Sequence, residues 1–168
     1  MLNSLTASFF LMSQLASANH VGDVRPITLQ QAISVAEQAV PGKVIEAELE
    51  RLGNQKFYQI DILAGHESRR VLINQANGRV GKNYVPVLED YWDYLFDRKA
   101  RQLLTRSGSL SEMLAALERR SGGKAVEASF EVEMGRAFYE VELMTSIGQT
   151  TVYIDGKSGA HIVRAPDD

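Results

Sequence analysis

The sequence contains no cysteine. That excludes disulfide staples, thiolate zinc sites and a thiol nucleophile, and leaves the compartment open. Histidine is scarce too. His20, His66 and His161 stand far apart with no spacing such as H-E-x-x-H, so they read as surface or turn residues and no shared metal site is expected. No serine sits in a nucleophile elbow, and no glycine-rich run could cradle a phosphate. Basic excess is missing: the net charge is −3 and the pI near 5.7. Nothing is therefore set up to neutralise phosphates, which argues against a nucleic-acid partner. No apolar run reaches the roughly 18 residues of a membrane-spanning helix, so no transmembrane segment is expected in the mature chain.

What remains has the composition of a water-soluble globular protein, 168 residues with 45% hydrophobic side chains. That length holds one ordinary domain or two small ones. Residues 1–18 differ from the rest and carry no charged side chain. An apolar run at 5–15, broken by Ser8, Ser13 and Gln14, leads into Ala16-Ser17-Ala18. That small-x-small pattern is of the kind signal peptidase cleaves. The usual basic residues before the run are missing, as they would be if the start were misassigned. The expectation is a signal peptide at 1–18, a loose leader at 19–26, and a periplasmic or secreted mature protein. The alternative is a frayed, weakly helical N-terminus.

Thr28-Leu29-Gln30-Gln31 fits a capping box, and Leu29, Ala32, Ile33, Ala36 and Val40 form one helical stripe. Pro41-Gly42 should stop the helix, with glycine allowing a left-handed exit. Residues 43–51 then alternate, Ile45, Ala47 and Leu49 on one side and Glu46, Glu48 and Glu50 on the other. That is the period of a half-buried antiparallel strand. Gly53-Asn54 turns the chain into a second strand at 56–63, with Tyr58, Ile60 and Ile62 inward. A third at 69–74 points Val71 and Ile73 to the core and ends in the tight turn Asn77-Gly78. Residues 88–105 read as a helix, acidic early and basic late, with Tyr91, Trp92, Tyr94 and Phe96 on barely two turns.

The pattern then returns. Ser109-Leu110-Ser111-Glu112 is a second capping box and Gly122-Gly123 a second stop. Val126, Ala128, Phe130 and Val132, then Tyr139, Val141 and Leu143, then Val152 and Ile154, face inward. Residues 161–163 form a short closing strand. Laying 28–82 on 109–163, an offset of 81, needs no gap. Glu37/Glu118, Gly42/Gly123, Ala47/Ala128, Phe57/Phe138, Tyr58/Tyr139 and Gly78/Gly159 match outright. Duplication explains this better than convergence. A unit of about 55 residues is marginal alone, so the two copies and the insert should pack together.

The unit resembles the PepSY domain, found in propeptides of thermolysin-type metallopeptidases and in many bacterial envelope proteins. The resemblance rests on the Ala-rich helix at 32–39, the Pro-Gly or Gly-Gly stop, and Val44 to Glu48. It continues through Tyr58-Gln59-Ile60-Asp61-Ile62 and Val71-Leu72-Ile73-Asn74 to Gly78. The second copy reads Tyr139-Glu140-Val141-Glu142-Leu143 and Val152-Tyr153-Ile154-Asp155 to Gly159. It implies an α+β fold of two tandem PepSY-like units, each a helix on an antiparallel three- to four-stranded sheet, joined by an interdomain helix. The units would span 27–82 and 109–164, the helical linker 83–108 and a tail 165–168. It also implies a non-catalytic, extracytoplasmic module that binds or restrains a peptidase, here acting in trans.

Glu127, Glu131, Glu133, Glu140 and Glu142 project from one face of the second sheet, and Glu46, Glu48, Glu50 and Asp61 from the first. Such carboxylates could do acid/base work or hold Ca²⁺, but also suit a solvated face that resists edge pairing. Phe57 and Phe138 share the acidic face, and Tyr153 should stand beside Phe138. Residues 28–82 hold seven basic and six acidic side chains, residues 109–163 five and eight, so the second unit is favoured as the binder. The expected partner-binding residues are Phe138, Tyr153, Glu140 and Glu142, with Phe57 as first-copy counterpart. No cofactor is expected. The expected function is binding of a protein or peptide, inhibiting or assisting a peptidase in the cell envelope. The alternative is a periplasmic sensory accessory taking a small ligand or cation on the acidic face.

Overall fold

The computed structural model describes residues 25–86 and 98–162. The candidate leader at 1–18, most of 19–26, the aromatics Tyr91, Trp92, Tyr94 and Phe96, and the 165–168 tail lie outside them. The first unit comprises α1 (Leu29–Ala39), β1 (Lys43–Leu52), β2 (Gln55–Ala64), β3 (Glu67–Asn74) and β4 (Val80–Tyr84). α2 (Arg98–Thr105) follows. The second unit comprises α3 (Leu110–Ser121), β5 (Lys124–Glu133), β6 (Arg136–Thr145), β7 (Gly148–Asp155) and β8 (His161–Ile162).

The fold is α+β, and the two sheets are one. Eight antiparallel strands run in the order β4-β3-β2-β1-β5-β6-β7-β8. β1 pairs with β5 through Glu46–Ser129, Ala47–Ala128 and Glu48–Glu127. Ala47 and Ala128 are equivalent in the repeat and face each other, so a pseudo-twofold axis passes between them. Both are fully buried. Small side chains there let α1 and α3 pack side by side above the junction, with one core beneath running from Leu29 and Ile33 to Leu143 and Ile154. Leu104 of α2 enters the same core.

Polar bonds across the junction use matched residues whose partners have diverged since duplication. The Ser109 and Ser111 hydroxyls donate to the Glu37 carboxylate of α1. Its counterpart Glu118 stays within its own unit, accepting from the Ala125 N–H at 3.0 Å and from Lys124 Nζ at 2.9 Å. The tyrosines divide likewise. Tyr58 Oη donates to the Ile27 carbonyl just ahead of α1, as expected of a helix-to-sheet tie. Tyr139 instead donates across the junction to the Val44 carbonyl, 2.8 Å away, where a bulge between Val44 and Glu46 interrupts the ladder.

Three local expectations need correction. The capping box at Thr28 forms in both directions, but at Ser109 only the bond from the Glu112 N–H forms among the described residues. The Ser109 hydroxyl, while accepting from the Glu112 N–H, also donates to Glu37. Gly42 makes no left-handed exit, because α1 ends on Val40 in extended conformation. Glycine is required there by close approach: a Cβ would lie 2.5 Å from the Leu63 carbonyl oxygen. Third, the first unit runs past residue 82: Val80–Tyr84 forms a fourth strand on the β3 edge, so residues 83 and 84 of the expected linker belong to the sheet.

Gly42→Ala should lower stability by about 1–3 kcal/mol through overpacking of backbone against backbone. Chemical denaturation measures it, and an unchanged midpoint would mean the α1–β1 connection has room to move.

Candidate functional site

One face of the sheet carries the helices and the core. The other carries alternating residues that the eight strands align into rows. One row runs Arg70, Asp61, Glu46, Ser129, Glu140, Tyr153, and the next Leu72, Gln59, Glu48, Glu127, Glu142, Thr151. The β1–β5 pairing therefore pools acids from both units into one central band.

Asp61 is almost wholly buried, 1% exposed, and Arg70 grips both its oxygens at 2.8 and 2.7 Å. Among the described residues no basic side chain grips the neighbouring acids Glu46, Glu48 and Glu127 in that way. Glu46 is pushed up to about 7, first by burial, then by the charges of Glu48, Asp61 and Glu127, against the pull of Arg70. Burial also raises Glu48 and Glu127, helped by nearby carboxylates. Gln59 Nε2 donates to Glu48 at 3.0 Å, and Gln149 donates to Glu142. Among the described residues no three His, Asp or Glu side chains are grouped to hold a metal ion.

The expected site residues fall in two places. Phe138 and Tyr153 meet edge to face, 5.7 Å between ring centres, and Glu140 is in register with Tyr153. Glu142 lies one row further along β6, opposite Glu127. Phe138 is buried to 7% exposure, so it offers a partner little area, while Tyr153, Glu140 and Glu142 are half-buried. Phe57 is not part of this group. It packs on Gly81, three strands from β6 and toward the opposite end of the sheet, about 25 Å from Phe138 by ordinary strand spacing and rise. By register its diagonal neighbour on β3 is Leu72, the repeat counterpart of Tyr153. The central band of Glu46, Glu48 and Glu127 was absent from the expected site, although each acid was placed on the correct face.

The turn acid has a structural task. Asp155 Oδ1 accepts from the Lys157 and Ser158 N–H groups and the Ser158 hydroxyl, which holds its carboxyl below the usual range. The chain then closes on Gly159 at φ 67°, just as Asn74 leads to Gly78 at φ 70°.

Comparison with known proteins agrees with this architecture. The profile of the family described as "Peptidase propeptide and YPEB domain" matches residues 26–82 and again 108–162, about two thirds of the chain. The chain belongs to the PepSY family. Each PepSY match coincides with one helix-and-four-strand unit of the sheet. No curated protein matches the sequence. Among solved structures, a candidate lipoprotein of Clostridium difficile 630 is similar at 16% identity and a TM-score of 0.43, over 85% of this chain and 94% of that one. A score that low bears on neither site nor function.

The pooled acids predict an unusual pH response. Between the ordinary glutamate value of 4.5 and about 7, folded Glu46 keeps a proton that the unfolded chain has lost. Stability should therefore fall as pH rises through that window, the reverse of a salt-bridged carboxylate. Solvent screening of a half-buried group limits the effect to about 1–2 kcal/mol. Glu46→Gln should raise Tm at pH 8 and leave it nearly unchanged at pH 4.5. An equal Tm difference at both pH values would show that Glu46 titrates normally.

Proposed function

We propose that this chain is a non-catalytic PepSY protein, exported to the cell envelope, that binds a cationic polypeptide segment on the far face of its sheet and thereby modulates a peptidase. The observation that carries this reading is the acid band at the junction. Glu46, Glu48 and Glu127 are crowded and partly desolvated, so their ionisation is costly with no partner present. A lysine or arginine laid across the band would offset that cost, and Tyr153, Glu140 and Glu142 border it on the second-unit side. Phe138 packs edge to face beside Tyr153 and contributes mainly through packing. Phe57, with Leu72, would serve a contact nearer the first unit. The family's tie to peptidase propeptides supports a peptidase as the target, and the 5–18 pattern supports export. Among the described residues no helix is long and apolar enough to cross a membrane.

Affinity capture from an envelope extract, followed by peptidase assay of the eluate, tests this. Captured activity should be several-fold higher at pH 8 than at pH 5, because a cationic partner prefers the ionised band. Glu140→Gln with Glu142→Gln, or Tyr153→Ala, should reduce it. Capture indifferent to pH and to all three substitutions would remove the far face from the function. A thermal shift with Ca²⁺ that Glu140→Gln abolishes would favour the cation-sensing alternative instead.

A further inference from the structure

The internal duplication gives the sheet two ends that should be alike, and they are not. Strand directions place the β1–β2 turn, the β6–β7 turn and the α3–β5 connection at one end. The β2–β3, β5–β6 and β7–β8 turns lie at the other. The first end displays Leu52 at 52% exposure, Met144 at 46% and Ile147 at 97%. Leu52 and Met144 lie on the same sheet face, with only β5 between their strands. At this same end exposed Arg51 and Lys56 pair on the helix-side face of the β1–β2 hairpin, and exposed Arg119 lies in the last turn of α3. Lys124 keeps its side chain 64% exposed while holding Glu118. Glu50 and Glu142 stand further back along the strands and are half-buried.

At the matched positions of the other end, 81 residues away, Arg51 becomes Val132, Leu52 becomes Glu133 and Lys56 becomes Ala137. Arg119 is matched by Gln38, and Ile147-Gly148 by His66-Glu67. Met144 keeps an apolar counterpart in Leu63, and the twin end exposes Met134, but there Arg136 stands beside the exposed acids Glu131 and Glu133. This end instead sets three exposed apolar residues among basic ones in a chain whose net charge is −3. The chain also enters the fold at this end, where the Ile27 N–H bonds the Gln75 carbonyl of the β3–β4 turn.

We infer that the end bearing Leu52, Met144 and Ile147 docks on an anionic lipid surface. Hairpin tips that carry isolated large apolar groups can enter the headgroup–acyl boundary without unfolding anything. Cationic side chains just behind them then meet lipid phosphates. Charge complementarity selects the lipid: a zwitterionic surface would satisfy the tips and leave the cationic side chains unused. The far face of the sheet stays clear for a partner when the molecule stands on this end.

Flotation of the full chain with phosphatidylglycerol–phosphatidylcholine vesicles, against phosphatidylcholine alone, tests the inference. Binding should require the anionic lipid and weaken as salt rises. Leu52→Ser with Ile147→Ser, and separately Arg51→Glu with Lys56→Glu, should each reduce partitioning roughly tenfold. Met134→Ser, at the opposite end and 98% exposed, should not. Absence of binding, or binding that both pairs leave intact as the apolar residues at 5–15 alone would produce, overturns it. So does loss confined to the charge pair, with polyglutamate bound equally by wild type and the Leu52→Ser/Ile147→Ser protein, because the end would then fit an acidic polypeptide.

Discussion

The pairing of β1 with β5 is the constraint on which the rest depends. It joins two small units, each too small to bury a generous core of its own, into one sheet with one core. It is also short, centred on Ala47 and Ala128, so its strength comes from what it brings together more than from its own ladder. Above it α1 packs on α3, and Glu37 collects the Ser109 and Ser111 hydroxyls. Beneath it the acids of both units meet. The same geometry thus supplies the stability of the fold and the electrostatic strain of the candidate site.

Duplication followed by divergence explains how matched residues came to do different things. Tyr58 and Tyr139 occupy the same place in their units, yet one ties a helix lead-in and the other bridges the units. Glu37 and Glu118 divide in the same way. A pseudo-twofold axis offers every position twice at equal distance from it, and here one member of each matched pair bridges while the other stays within its unit. Side chains that reach the axis are then free to specialise as bridges. The asymmetric ends of the sheet extend that logic from packing to surface chemistry.

Much of the fold was legible because its signals are local. Helical stripes, strand alternation, capping residues and the turn at Asn77-Gly78 each reflect constraints within a few residues. The 81-residue repeat multiplied their weight. The faces of Phe57, Phe138 and the acids followed from the period of two. Which edge pairs with which has no local signature, so the joining of the sheets and the pooling of Glu46, Glu48 and Glu127 were not legible. Gly42 misled for a related reason: a glycine after a helix usually signals a left-handed cap, and only the tertiary approach of Leu63 reveals the other cause. Val80–Tyr84 escaped because an edge strand of exposed residues shows no burial pattern. The partial burial of Glu46 likewise depends on neighbours from two units.

The central claim is that neither unit holds its structure independently of the other. Native-state hydrogen exchange on the full chain tests it with a single core change, Ile60→Ala, in the first unit. Ile60 is fully buried, and its truncation should cost about 2–5 kcal/mol. If the junction makes one cooperative body, the slowest amides of β2 and of β6 should lose the same protection. If only first-unit amides weaken while β6 keeps its wild-type protection, the units fold separately and the account fails.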